Sequence, residues 1–398
     1  MQVKIVLLMV LVALNLRPAL ASLAPLLARV QAETGLSAAA IGALTTLPVL
    51  CLGLFAPLAP WLSRRLGIER TLSLSLLLLT LALLFRATDG SAGLFLGTAL
   101  VGAAIGIAGT VLPVLVKRDL PRGADLMTGV YTMALCLGGA LGAGLSIPLA
   151  DMLGSWERSA GSWALLAAIA LLCWRLLTPH PWPEQHRGPR PRVGSGLLRS
   201  PLAWHITLLM ASQSALAYIV FGWLPVLLQR RGLGEAEAGL LLAGSVFVQL
   251  FAALAAPWLA RLGRDQRPAL LIALGLVGIG FYCLLQAPAA LRWPGVVALG
   301  IGQGGSFSLA LALLVLRSAS PAVAGELSGM SQGIGYCLAA LGPLAVGVLL
   351  QYDVSLTGIW LLLTAVVLLA AVLAMLAGRQ LVLDVDASGR FVTSSPAC

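Results

Sequence analysis

Residues 92–116 read AGLFLGTALVGAAIGIAGTVLPVLV, a run of apolar and small residues with no charged side chain. A helix rises about 1.5 Å per residue, so this run can cross the ~30 Å hydrocarbon core of a bilayer. A helix also satisfies its own backbone hydrogen bonds, as any lipid-exposed segment must. The run therefore predicts a transmembrane helix.

The rest of the chain repeats this pattern. The sequence predicts twelve spans, at approximately 5–30, 38–62, 71–88, 92–116, 125–150, 161–178, 201–228, 236–260, 268–287, 294–316, 327–351 and 356–378. The strands of a membrane barrel would instead be about ten residues long and would alternate in polarity. Only 10% of the residues are charged and 59% are hydrophobic, which leaves too little charge to cover a water-soluble globule. We therefore expect an all-α polytopic membrane protein and exclude a soluble enzyme.

The distribution of the basic residues behind the net charge of +10 indicates how these spans are oriented in the membrane. Of the 25 Lys and Arg residues, 18 fall on the side of the N-terminus, six fall in the opposite loops, and Arg17 lies inside span 1. Positively charged loops stay in the cytoplasm, so we expect both termini there and the protein in the inner (plasma) membrane. No basic stripe alternates with aromatic residues as nucleic-acid binding requires. The expected partners are the lipid bilayer and a small-molecule substrate, with no nucleic acid, and we expect a monomer.

The N-terminus allows two interpretations. Lys4, the apolar run that follows and Ala19-Leu20-Ala21 are compatible with a cleaved signal peptide. However, Arg17-Pro18 interrupts the run and apolar sequence continues to Val30. We therefore expect a retained first helix.

The chain also contains an internal duplication. Span 2 ends with Ala59-Pro60-Trp61-Leu62-Ser63-Arg64, and span 8 ends with Ala256-Pro257-Trp258-Leu259-Ala260-Arg261. Spans 5 and 11 open at Asp125 and Glu326, and they contain Ala-Leu-Gly at 140–142 and 340–342. Composition alone is the alternative explanation, since both halves are rich in Ala and Leu. Two parallel six-helix repeats would place a substrate site near the midplane between them.

The duplication divides the chain into four parts. These are an N-terminal six-helix bundle (1–178), a Pro- and Arg-rich cytoplasmic linker (179–200), a C-terminal six-helix bundle (201–378) and a cytoplasmic tail (379–398).

Two stretches resemble a known family. The loop from Pro60 to Arg70 resembles the G-x-L-x-D-R-x-G-R signature of the major facilitator superfamily, although Arg64 stands where an acid is usual and Pro60 where a Gly is usual. Asn15-Leu16-Arg17-Pro18-Ala19, 44–50 and 53–57 resemble its cyanate/2-nitroimidazole transporter family. The resemblance implies secondary transport of small solutes, including cyanate-type anions and 2-nitroimidazole. The predicted loop and gating residues are Arg64, Arg65, Gly67, Arg261, Asp125 and Glu326.

Arg17 is the most informative single residue. It lies near the middle of span 1 with no carboxylate at its depth. A central Arg costs about 2.5–3.5 kcal/mol on insertion scales and does not lose its proton. An anionic substrate would supply the missing counter-charge to its planar fork of donors. The alternative is a structural Arg satisfied by backbone carbonyls and water.

Uncharged polar side chains near mid-depth complete the predicted site. Besides Arg17, the candidate substrate-binding residues are Asn15, Thr45, Tyr131, Gln213, Tyr218, Gln303, Gln332 and Tyr336. On an ideal helix Asn15 points about 200° away from Arg17, so the two share a cavity only if Pro18 unwinds the helix. His205, in span 7, is either a packing residue or a proton relay.

These features predict a secondary active or facilitative transporter of a small anion, cyanate-like or a small carboxylate, which works by alternating access. The sequence has no nucleotide-binding or catalytic motif in a suitable context and no metal-ligand spacing, so we expect no enzyme activity and no cofactor. The alternative is an exporter of neutral or heteroaromatic toxic compounds such as nitroimidazoles. The substrate, the direction of transport and the coupling ion stay open.

Overall fold

Helices make up almost all of the chain, as the apolar runs predict. The computed structural model describes residues 2–88, 90–178, 196–263, 265–386 and 390–394. In these residues the N-terminal half contains α1 (Gln2–Leu16), α2 (Pro18–Ala21), α3 (Leu27–Thr34), α4 (Ala38–Phe55), α5 (Leu58–Leu66), α6 (Ile68–Arg86), α7 (Ser91–Asp119), α8 (Ala124–Leu153) and α9 (Trp156–Leu177). The C-terminal half contains α10 (Pro201–Arg230), α11 (Glu235–Leu259), α12 (Arg267–Leu285), α13 (Arg292–Leu316), α14 (Pro321–Ala339), α15 (Leu341–Gln351) and α16 (Leu356–Ala377).

The number of membrane spans agrees with the sequence. Among the described residues, eleven helical segments are long and apolar enough to cross a bilayer, and the bent pair α4–α5 makes a twelfth. Large apolar side chains such as Leu81, Leu165 and Phe247 are exposed on the outside of the bundle, where lipid replaces water. The polytopic all-α prediction is therefore confirmed.

Three of the predicted spans are interrupted, and a proline lies at or near each break. Span 1 is predicted over 5–30 with Pro18 as a point of local unwinding, and α1 does end at Leu16 while α2 begins at Pro18. Span 2 was expected over 38–62, but it bends by 49° between α4 and α5, beside Pro57. The third break separates α14 from α15 at Ala340, three residues before Pro343. Proline has no amide hydrogen and its ring clashes with the preceding turn, so the helix breaks or kinks there.

The two halves pack face to face around α7 and α13. The apolar windows of these two helices are 83% buried, the highest share among the described spans, so they are the helices best shielded from lipid. Between the halves, α8 packs on α11 and α13, and α14 packs on α4 and α7. We call the face where α9 ends and α10 begins the linker face, and the opposite side the far face.

The C-terminal tail contains two paired β-strands, which the sequence did not indicate. Val382–Val385 and Phe391–Ser394 form an antiparallel hairpin, β1 and β2. Leu383 is fully buried and exchanges backbone hydrogen bonds with the turn that joins α13 to α14. Arg317 in that turn donates to Gln266 and to the carbonyls of Ala377 and Gly378. Burial lowers the pKa of Arg317 to about 10, so it remains charged at neutral pH.

Candidate functional site

A small cavity lies between the two halves at the break in span 1. Its volume is about 40 Å³, which gives room for roughly three water-sized groups. The polar side chains that line it are Arg17, Tyr131, Tyr218, Gln332 and Tyr336, and the rest of the lining is almost entirely apolar, with Leu16, Leu20, Leu52, Leu112 and Phe307 among it. Both halves contribute residues, so the cavity lies between the two halves.

Among the described residues that line the cavity, Arg17 provides the only charged group. Its guanidinium carbon lies over the ring of Phe307, 4.9 Å from the ring centroid. Among the described residues Arg17 has no ion-pair partner and no side-chain hydrogen bond. The ion pairs and hydrogen bonds found there join other groups. The cavity therefore contains a positive charge without an ion-pair partner among the described residues.

The break that presents Arg17 is held by glycines of α8. A side-chain carbon at Gly142 would meet the Cα atom of Pro18 at 2.7 Å. Gly138, one turn earlier, would meet the carbonyl oxygen of Leu14 and the ring of Pro18. In a regular helix the carbonyl of Leu14 would accept a hydrogen bond from the amide of residue 18, but proline has no amide hydrogen. Only glycine lets α8 pass this closely, so α8 and the break form one unit.

The tyrosines and the glutamine surround the charge with hydrogen-bonding groups. Tyr218 and Tyr336 are in edge contact with ring centroids 6.4 Å apart. The hydroxyl of Tyr131 is buried next to the Thr128 side chain and makes no hydrogen bond of good geometry among the described residues, which is costly unless something else supplies a partner. Gln332 donates across the halves to the carbonyl of Gly109 at 3.2 Å and to Ser328 at 2.7 Å.

Four of the predicted site residues lie outside the cavity, and local hydrogen bonding or position explains each. Asn15 is buried on the other side of α1, and its amide donates to the carbonyl of Leu11 at 2.8 Å. Thr45 is exposed, two helical turns from Leu52 toward the far face. Gln213 bonds Met210 and Ser214 of its own helix, and Gln303 bonds Gln249 and Leu216. Unwinding at Pro18 does not bring Asn15 to the site, because α1 stays helical through Leu16.

Two further residues shape the site, and no sequence pattern identifies them. Phe307 is one of many apolar residues in span 10, and only the packing of the halves brings it to Arg17. Arg86 is one of the six basic residues that the sequence predicts in the far-face loops, yet it is only 1% exposed. It donates to the carbonyl of Ala19 at 2.7 Å and to Ser22 at 3.1 Å, so it ties α6 to the segment that follows Arg17.

The predicted gating residues come together in two ion pairs on the linker face. Arg64 pairs with Glu326, and Arg261 pairs with Asp125. Each pair joins one half to the other. Because Arg64 matches Arg261 and Asp125 matches Glu326 in the duplication, the same approximate twofold relation connects the two pairs. Arg65 instead stacks on Trp61, and Gly67 has a φ of 86° between α5 and α6, where other residues would be strained.

Small residues bring the halves together between this face and the cavity. A side-chain carbon at Gly329 would meet Pro60 at 2.9 Å, and one at Gly333 would meet Pro57 at 2.7 Å. On the related side, Gly129 would meet the carbonyl oxygen of Leu254 at 2.7 Å. The linker face is therefore closed in this conformation by two tight helix contacts, each capped by an ion pair.

Other polar groups lie away from the cavity. His205 is half-buried on α10, about one turn from the start of that helix. The five cysteines in the described part of the chain are free, and no three His, Cys, Asp or Glu side chains of that part form a group that could hold a metal ion.

Sequence comparison relates the chain to transporters. The family model described as Major Facilitator Superfamily matches residues 6–343. The uncharacterized transporter YycB of Bacillus subtilis (strain 168) is 38% identical, with 93% of this chain and 90% of that protein covered. The 2-nitroimidazole transporter of Escherichia coli (strain K12) is 35% identical, with coverages of 93% and 94%. The cyanate transport protein CynX of the same organism is 33% identical, with coverages of 86% and 89%.

Structural comparison gives the same fold. The proton:xylose symporter XylE bound to 6-bromo-6-deoxy-D-glucose has a TM-score of 0.76 at 14% identity, with 93% of this chain and 94% of that chain covered. The human organic anion transporter MFSD10 also has a TM-score of 0.76, at 18% identity, with coverages of 94% and 99%. At such identities the likeness concerns the fold alone.

Proposed function

The chain belongs to the major facilitator superfamily, among the relatives of its cyanate and 2-nitroimidazole transporters, and from this membership we propose that it carries a small anion across the membrane. The observation that supports the proposal is the charge in the cavity. Arg17 faces the space between the halves with a ring against it and no carboxylate near it. A guanidinium in this position binds a small anion through charge-assisted hydrogen bonds.

The size and the remaining polar groups of the cavity favour a small substrate. About 40 Å³ holds an ion of three or so heavy atoms, such as cyanate, without rearrangement. A small carboxylate needs a modest movement of the lining side chains. The hydroxyl of Tyr131 can donate to the anion, which would also satisfy that buried group.

Transport would follow by rocking the halves about the cavity. In the present conformation the contacts of α4 with α14 and of α8 with α11 close the linker face. Opening that face requires both ion pairs to separate while the far-face ends approach each other. We assign the linker face to the cytoplasm because 18 of the 25 basic residues lie on that side. In this orientation both termini are cytoplasmic, and the proposal takes the protein as a multi-pass monomer of the inner membrane.

Uptake into proteoliposomes tests the proposal. We expect purified protein to move labelled cyanate or a small carboxylate, and Arg17→Ala and Arg17→Lys to lower the rate at least tenfold, since a hydrogen bond to a charged group contributes about 1.5–3 kcal/mol. Lysine keeps the charge but loses the planar fork. Wild-type rates in both variants would overturn the anion site.

The second candidate function is export of neutral or heteroaromatic toxic compounds. The three tyrosines and Gln332 around the cavity favour it, as does the relative that is a 2-nitroimidazole transporter. A growth-inhibition panel on expressing and deletion strains separates the two functions. Resistance to nitroimidazoles without any uptake of anions would favour export.

A further inference from the structure

We propose that Phe307 is a positioning residue for Arg17, which holds the guanidinium so that its donor edge faces the substrate. This inference rests on the proposed anion site and adds a specificity determinant from the opposite half of the protein. The contact that carries it is the guanidinium carbon of Arg17 over the Phe307 ring, at 4.9 Å from the centroid.

The geometry of the two groups defines this role. A guanidinium carries its five N–H donors around its edge, and its faces carry none. The electron-rich face of an aromatic ring attracts a cation within about 6 Å. The guanidinium carbon of Arg17 lies over the Phe307 ring, so N–H donors that point away from the ring stay available to an anion. In the proposed arrangement the ring and the anion bind the guanidinium together, on different sides of it.

The surroundings make Phe307 a fixed support. It lies on α13, the most buried helix of its half, and is itself buried. Gly300, Gly302 and Gly304 of α13 let the backbones of α11 and α12 approach within contact distance. Ser308, next to the ring, donates to the carbonyl of Ala253 on α11 at 2.6 Å. Arg17, by contrast, has a flexible side chain and no hydrogen-bond or ion-pair partner among the described residues, and in this proposal the contact with the ring sets the orientation of its guanidinium.

The contact also links the charge to the arrangement of the halves. Arg17 belongs to the N-terminal half and Phe307 to the C-terminal half. The ring therefore supports the guanidinium only while the halves lie as they do here, with the linker face closed. Anion affinity therefore depends on Phe307, although its side chain has no polar atom with which to bind the anion.

A double-mutant cycle in anion-free buffer tests the contact by itself. Melting temperatures of wild type, Arg17→Gln, Phe307→Leu and the double variant are compared in detergent. We expect Phe307→Leu to lower the melting temperature more in the presence of Arg17 than in the Arg17→Gln background. Equal shifts in the two backgrounds would overturn the proposal, whatever the substrate is.

Ligand stabilisation then tests the role, with cyanate as the anionic probe and 2-nitroimidazole as the neutral one. A bound ligand raises the melting temperature by mass action. We expect Phe307→Leu to weaken the cyanate response at least fivefold in concentration and to leave the response to 2-nitroimidazole within twofold. Phe307→Tyr keeps the ring and should restore the cyanate response. Equal loss of both responses, or no rescue by tyrosine, would show a packing role and overturn the proposal.

Failure of the proposed function would give a different experimental result from failure of the inference about Phe307. If wild type shows no cyanate or carboxylate response that Arg17→Gln removes, the anion site is wrong, and Phe307 is no anion-positioning residue even where the cycle shows coupling. If wild type responds and the Phe307 series does not change, the proposed function stands and only this inference falls.

Discussion

Removing the two ion pairs between the halves should open the linker face more often. Glu326→Gln and Asp125→Asn each delete one carboxylate and leave the size of the side chain unchanged, so the pairs with Arg64 and Arg261 are lost. Both pairs join opposite halves, and they must separate when the face opens. Their loss destabilises the closed conformation and leaves the open one nearly unaffected.

The magnitude follows from the exposure of the pairs. Glu326 and Arg64 have side chains that are 27% and 34% exposed, so solvent screens this pair substantially. Partly exposed pairs contribute about 0.5–1 kcal/mol each. Losing both should shift the equilibrium by about 1–2 kcal/mol, which is a factor of about 5–30 in the open population. Each single variant should give about half of this free energy.

A native cysteine reports the opening. A side-chain carbon at Gly53 of α4 would meet the sulfur of Cys337 of α14 at 2.7 Å, so the other half covers part of this half-buried thiol. Its rate of alkylation by N-ethylmaleimide, followed by mass spectrometry of the peptide, should rise by up to the same factor of about 5–30. Cys283 lies inside the C-terminal half, between α12 and α13, and its rate should not change.

Two controls decide the interpretation. Asp151→Asn removes the Arg29–Asp151 pair, which joins two parts of the N-terminal half, and should leave the Cys337 rate unchanged. The exchange Arg64→Glu with Glu326→Arg reverses one pair and should return the rate toward the wild-type value. A rate in the double carboxylate variant within twofold of wild type, or a failure of the exchange to restore it, would refute the closure by ion pairs.

Three further variants test how the site is built. Gly142→Ala should abolish the cyanate-induced rise in melting temperature because its methyl group displaces Pro18. The control Gly144→Ala, with open space around it, should keep that rise. Equal behaviour of the two variants would contradict the close approach of α8 to Pro18. Arg86→Ala should destabilise the protein by about 2–5 kcal/mol through a cavity and a lost donor to Ala19, measured by thermal unfolding against the exposed Arg158→Ala. Leu383→Ala should destabilise the tail by about 2–3 kcal/mol, seen as faster limited proteolysis after α16, while Val392→Ala, 42% exposed, should have little effect.

Residue type and depth in the membrane identified part of the site, but they did not show which side chains face the cavity. Arg17 could be identified from the sequence because a permanent charge inside an apolar run is costly wherever the chain folds. The tyrosines at 131, 218 and 336 were also among the candidates, and all three line the cavity. Gln213 and Gln303 have the same chemistry and a similar depth, yet they bond within the C-terminal half. Depth along a helix does not specify which direction a side chain faces in the bundle.

The sequence by itself determined the spans, the duplication and the charged positions on the linker face. These follow from the hydrophobic length of a bilayer and from the repetition of local motifs, which do not depend on the neighbours of a residue. Only the tertiary structure decided that Arg64 meets Glu326, that Phe307 covers Arg17, and that Arg86 is buried against Ala19. The partners in these pairs are between 67 and 290 residues apart in the chain, and their meeting depends on how the helices pack.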